Sequence, residues 1–159
     1  MFRESTLQEI AKSNRLRSQK RLKRSESMSK QVPQNARGEA EQRVAFEQTL
    51  THWNAEMPPV YSTPNMIGLM ETAAYHALKP YCEDGEITVG TAINIEHRAP
   101  ATIGILVKAE AELQSQDGRF YVFRVKATAA KDGGDPVELG SGTVARAFVN
   151  LEKMKGKLK

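Results

Sequence analysis

Only one cysteine, Cys82, occurs in the 159 residues, so no disulfide can form within the chain and a reducing or redox-indifferent compartment is expected. His52, His76 and His97 are the only histidines, and with a single Cys they cannot supply four ligands at zinc-finger spacing, so no metal is expected. No apolar run reaches the ~18 residues that a membrane-spanning helix needs. The N-terminus also lacks the apolar stretch of a secretory signal. These absences lead to the expectation of a soluble, cytoplasmic protein with no membrane contact. Aromatic residues make up 6% of the chain, and no Asp precedes residue 84.

What is present suits one domain: 40% hydrophobic and 26% charged residues, enough apolar material for a core at this length. The net charge of +4 is unevenly spread. Residues 1–35 hold nine Lys or Arg against Glu4, Glu9 and Glu26, whereas the remaining 124 residues hold 14 basic and 16 acidic groups. Basicity therefore belongs to the N-terminal segment, and the rest offers no electrostatic footprint for nucleic acid. Residues 1–35 are rich in Ser, Gln, Lys and Arg and poor in large apolar side chains, a composition that favours disorder or a loose solvated helix. The segment also fits a mitochondrial presequence, which its three Glu count against, or a start of translation at Met28. The division expected is a basic extension over 1–35 and a folded domain over 36–159.

Within the folded part, Glu41 to Thr51 alternates, with Val44, Phe46, Gln48 and Leu50 on one side, and reads as a half-buried strand. The convincing helix runs from Pro64 to Lys79, with Thr63 able to cap it, Pro64 at its first position and Pro80 beyond its end. It is apolar nearly all round (Met66, Ile67, Leu69, Met70, Ala73, Ala74, Ala77, Leu78) and should be wrapped by other structure. Strand-like segments follow at Ile87–His97, Ile105–Ser115, Phe120–Ala130 and Val137–Leu151. Hairpin-type turns join them, marked by Asp117-Gly118 and Asp132-Gly133-Gly134. With no further helices to cover a parallel sheet, an antiparallel sheet curled around one helix is the economical arrangement.

Five residues could carry chemistry, each with a plainer reading beside it. Glu71 interrupts an apolar helix, where a carboxylate is costly unless it is paired, solvated or functional. His97 closes a strand and could be an ordinary partly exposed imidazole. Thr63 could serve only as a cap, and Arg146 could lie on the wetter strand face. Gly90, like Gly140 and Gly142, sits inside a strand pattern, where glycine marks a bulge or a close backbone approach.

In order and spacing, however, these residues match a family. Val60-Tyr61-Ser62-Thr63-Pro64, Met66-Ile67-Gly68-Leu69-Met70-Glu71, Leu78-Lys79-Pro80-Tyr81, Gly85-Glu86 and Val89-Gly90-Thr91-Ala92 resemble the fluoroacetyl-CoA thioesterase-like hotdog proteins. So do His97, Gly140-Ser141-Gly142-Thr143, Arg146-Ala147 and Leu151-Glu152-Lys153. The resemblance spans residues 38–155. It implies an α+β hotdog fold, an acyl-CoA thioester hydrolase needing no cofactor, and a homodimer with active sites at the interface. Position by position, Thr63, Glu71 and His97 match the family's catalytic Thr, Glu and His. Gly90 matches a glycine whose amide lies at the site, and Arg146 an arginine that lines it.

The chemistry is coherent: Glu71 as nucleophile or general base, His97 handling protons or the developing oxyanion, Thr63 hydrogen-bonding between them. Two departures, Val144-Ala145 before Arg146 and the missing aromatic lid residues near Phe46, point to a generic short or medium acyl-CoA instead of fluoroacetyl-CoA. A hotdog hydratase would want an Asp and His pair at the helix entry, and no Asp is there. The alternative is a non-catalytic acyl-CoA-binding or regulatory protein whose basic arm, residues 1–35, contacts nucleic acid or an acidic partner. Thr63 and Glu71 are eight residues apart, ~12 Å along a straight helix, so in one chain they cannot touch. The triad requires either a bent helix entry or two subunits.

Overall fold

The computed structural model describes residue 15, residues 31–130 and residues 134–158. The chain divides into two compact units, Met1–Gln31 and Val32–Lys159. Of the first, only Arg15, exposed and helical, and Gln31 are described. The disorder expected over residues 1–35 therefore falls almost wholly outside the described residues, as do Asp132 and Gly133 of the expected turn. In the second unit Val32 and Ala36 are already buried in the core.

That core lies between a five-stranded antiparallel sheet and one long helix. The strands are β1 (Arg37–Arg43), β2 (Glu86–His97), β3 (Leu106–Asp117), β4 (Phe120–Ala130) and β5 (Val137–Asn150). The helices are α1 (Leu50–Trp53), α2 (Thr63–Leu78) and α3 (Leu151–Lys155). Sheet order is β1-β3-β4-β5-β2, so β1 and β2 are the two edges. On β3, Val107, Ala109, Ala111 and Leu113 point inward at period two and their neighbours face out, as the alternation predicts. Together with Tyr121, Phe123, Val125 and Val144 they meet Met66, Met70, Ala73, Ala74, Ala77 and Leu78 of α2. At Gly38 of β1, a Cβ would stand 2.1 Å from the Ala73 carbonyl oxygen and 2.4 Å from the Ala77 nitrogen. Here the helix lies directly on strand backbone.

The structure corrects three expectations. The half-buried strand over Glu41–Thr51 is absent: β1 stops at Arg43, and a 3-10 turn, Phe46–Gln48, leads into α1. Local capping wins over the weak alternation, because the Ala45 N–H donates to Gln48 Oε1 at 2.6 Å and Thr49 Oγ1 accepts from the His52 N–H. Phe46 consequently stands 48% exposed. The cap of α2 is Ser62, whose hydroxyl accepts from the Asn65 N–H, while Thr63 is the first helical residue and exposed. The sheet curls over α2 as expected, leaving the stripe of Gly68, Thr72 and His76 exposed. Finally, β2 and β3 form no hairpin: β2 pairs with β5 from Glu86↔Asn150 to His97↔Gly140, and residues 98–105 cross to the far side of the sheet. The Asp117-Gly118 signal does mark a hairpin, with Gly118 in the left-handed region at φ 57° between β3 and β4.

Candidate active site

The five residues fall into two groups within one chain. The first is built where β5, β2 and the middle of α2 meet. Gly90 and Arg146 are register partners across β2 and β5, so both lie on the face turned toward the helix. Just beyond Gly90 the register shifts, and the bulged Thr91 turns its hydroxyl to donate to the Ala145 carbonyl at 3.2 Å. Glu71 comes down from α2 onto this spot. Its Oε2 pairs with Arg146 NH1 at 3.2 Å, with side-chain exposures of 24% for Glu71 and 7% for Arg146. A Cβ on Gly90 would stand 2.5 Å from Oε2 and 2.7 Å from Oε1, so the carboxylate occupies the space that any other residue would fill.

Arg146 is held from several sides. Its Nε–H donates to Thr88 Oγ1 at 3.1 Å, an NH2 hydrogen to the Thr88 carbonyl at 2.8 Å, and NH1 also reaches the Glu71 main-chain carbonyl at 3.3 Å. The Tyr75 ring lies 5.8 Å from the guanidinium, a cation–π distance. Glu71 Oε1, by contrast, is enclosed and accepts no hydrogen bond. A buried acceptor left so costs about 1–3 kcal/mol. Glu71, Gly90, Thr91, Ala92 and Ile93 line an open depression here.

The second group stands at the start of α2, where the end of β2 passes it. His97 Nε2 lies 3.1 Å from the Ala99 carbonyl, which can only accept, so Nε2 carries the hydrogen. In the neutral ring Nδ1 is then the acceptor, and the Thr63 hydroxyl donates to it at 2.9 Å. The pair lines a second depression with Leu50, Val60, Tyr61 and Pro100. Burial pushes the Tyr61 phenol well above the usual tyrosine range, and its hydroxyl donates to Gln42 Oε1 at 2.7 Å.

The helix is continuous from Thr63 to Leu78, so the ~12 Å between Thr63 and Glu71 is not closed by a bend. Along β2, Gly90 and His97 are about 23 Å apart. Thus Glu71, Gly90 and Arg146 come together, Thr63 and His97 come together, and the two groups stay separate within the chain. Thr88, Tyr75 and the Ala99 carbonyl were not singled out by the sequence. Only Thr88 left a trace, as the residue two before Gly90 and hence on the same strand face.

A chain with this architecture is of the hotdog thioesterase class. The solved fluoroacetyl-CoA thioesterase FlK is 40% identical with a TM-score of 0.69, covering 78% of this chain and 93% of its own. A Thermus thermophilus hypothetical protein, a thioesterase superfamily member, is 26% identical with a TM-score of 0.71, covering 80% of this chain and 90% of its own. Among curated proteins, the fluoroacetyl-CoA thioesterase of Streptantibioticus cattleyicolor is 46% identical over 105 residues, 66% of this chain and 72% of that protein. Residues 44–152 match the family described as fluoroacetyl-CoA-specific thioesterase. The chain belongs to that family and is a thioesterase. Among the described residues, no helix is long and apolar enough to cross a membrane.

Proposed function

We propose that this thioesterase hydrolyses a short or medium acyl-CoA to the free acid and CoA, at a site assembled from two copies of the chain. The observation that carries the reading is the Glu71–Arg146 pair seated on Gly90 beside an edge strand whose residues 90–94 are consecutively exposed. An exposed strand edge is a template for pairing, and isologous dimers form by such self-complementary edges. Antiparallel pairing of β2 with its symmetry mate about a dyad near Ile93 and Asn94 brings the partner's His97 opposite Gly90. The two halves of the triad then meet, although within one chain they cannot.

In that arrangement the partner's Thr63 hydroxyl turns its single hydrogen from the partner's His97 Nδ1 to Glu71 Oε1, which lacks a donor, and leaves Nδ1 free to accept a proton. Arg146 holds the other oxygen and aims the group as a nucleophile or general base. The Gly90 region supplies N–H character toward the thioester carbonyl, and the partner's His97 accepts and returns a proton through Nδ1. The C–S bond breaks, the hydroxyl of water ends on the acyl carbon, and the thiol leaves with water's other proton. Acyl-CoA is the substrate class that the fluoroacetyl-CoA thioesterase relatives support.

A panel of acyl-CoAs, read by thiol release, tests the activity: the wild type turns over and Glu71→Ala falls at least about 100-fold. Mixing Glu71→Ala with His97→Ala chains and allowing subunit exchange tests the shared site. Heterodimers then carry one intact site each, and about a quarter of wild-type activity returns. A site contained in one chain would restore none.

A further inference from the structure

We propose that Thr88 is a positioning residue for this site: it fixes the plane of the Arg146 guanidinium, and through it the aim of the Glu71 carboxylate. The inference rests on the function proposed above. Arg146 is 6% exposed and Thr88 5%, so their contacts are made away from water, where an unmade hydrogen bond is expensive. Thr88 grips one edge of the guanidinium at two points, through Oγ1 to Nε at 3.1 Å and through its carbonyl to NH2 at 2.8 Å. The opposite corner, NH1, is thereby directed at Glu71, meeting both Oε2 at 3.2 Å and the main-chain carbonyl at 3.3 Å.

A two-point grip on a rigid planar fork defines its orientation, whereas a one-point contact leaves it free to pivot. Thr88 is also β-branched and sits in a strand, which restricts χ1 and holds its hydroxyl where Nε needs it. The Tyr75 ring beside Arg146 presents a face and cannot set the in-plane angle. Without Oγ1, the buried Nε–H has no acceptor, and the guanidinium shifts on its weaker remaining contacts, NH2 to the Thr88 carbonyl and NH1 to Glu71. Glu71 Oε2 then loses its fixed partner while every backbone element stays in place.

The test uses the full chain carrying Thr88→Val, which keeps shape and loses the acceptor, and Thr88→Ser, which keeps the acceptor. With the acyl-CoA that the wild type hydrolyses fastest, Thr88→Val is expected to lower kcat about 10- to 100-fold with KM little changed. Thr88→Ser is expected to restore most of it. A Thr88→Val enzyme with wild-type kcat would overturn the proposal, and so would kcat falling in both variants only in step with their melting temperatures. Thr88→Ala is the second variant if Thr88→Val does not fold. Exchange of the Arg146 Nε–H with solvent, followed by NMR and assigned with Arg146→Lys, is read separately from turnover. Protection in wild type and Thr88→Ser, lost in Thr88→Val, supports the grip, and equal protection in all three refutes it. A wild type that hydrolyses no acyl-CoA would remove the proposed function, and the exchange measurement would still decide the grip.

Discussion

A methyl group at position 90 would stand 2.5 Å from one oxygen of Glu71 and 2.7 Å from the other. Gly90→Ala is therefore expected to push the carboxylate off its seat and away from Arg146. Acyl-CoA hydrolysis should fall at least about tenfold, while far-UV circular dichroism stays that of the wild type. An unchanged rate in Gly90→Ala would show that Glu71 need not occupy this position. Tyr61 leads to an expectation about stability. Its folded-state pKa is raised by burial, so the native phenol keeps its proton where the unfolded one gives it up. The stabilisation is complete below the ordinary tyrosine value of about 10 and is lost as pH rises above it, by up to about 1.4 kcal/mol per pH unit. Urea unfolding between pH 9 and 11, taken as about one unit either side of that value, should show a shallower decline in Tyr61→Phe.

At the scale of elements, β1 and α2 are joined by backbone contact at Gly38, where a Cβ would meet Ala73 and Ala77 main-chain atoms. No side chain can give way there, so Gly38→Ala is expected to lose about 3 kcal/mol, the upper end of overpacking costs. A urea midpoint unmoved in Gly38→Ala would show that β1 can shift away from α2 without loss. The elements themselves differ in how legible they are. β3, β4 and α2 show in the sequence because each carries a strong period, a hairpin signal or a Pro and cap at its ends. The segment 44–53 does not, because Val44, Phe46, Gln48 and Leu50 alternate by chance, while Gln48 and Thr49 side chains bond the backbone into turns. The sequence places the cap one residue late because Ser62 and Thr63 are both competent, and only the placement of Asn65 separates them.

For the whole molecule, the edge strand β2 is decisive. Ile93 is 49% exposed at the middle of a 12-residue edge and shares the lip of the Glu71 depression. A charge there blocks edge-to-edge pairing. If the proposed edge-to-edge dimer carries the site, Ile93→Lys is expected to elute as a monomer on size-exclusion chromatography and to lose thioesterase activity. A monomeric Ile93→Lys with full activity would place the whole site in one chain. A dimeric Ile93→Lys would move the interface elsewhere.

By itself the sequence determined the thioesterase family, the long apolar helix and four of the five strands of the sheet, and it singled out five residues as candidates for the site. Those features are local: they depend on period, on turn chemistry, and on residue types at short spacing. Only the tertiary structure decided that β2 pairs with β5 and not with β3, because strand partners are chosen by the whole sheet. For the same reason it alone showed Thr88 holding Arg146, a contact across 58 positions. It also divided the five residues into two groups, since a straight helix keeps Thr63 and Glu71 apart however well their order matches the family.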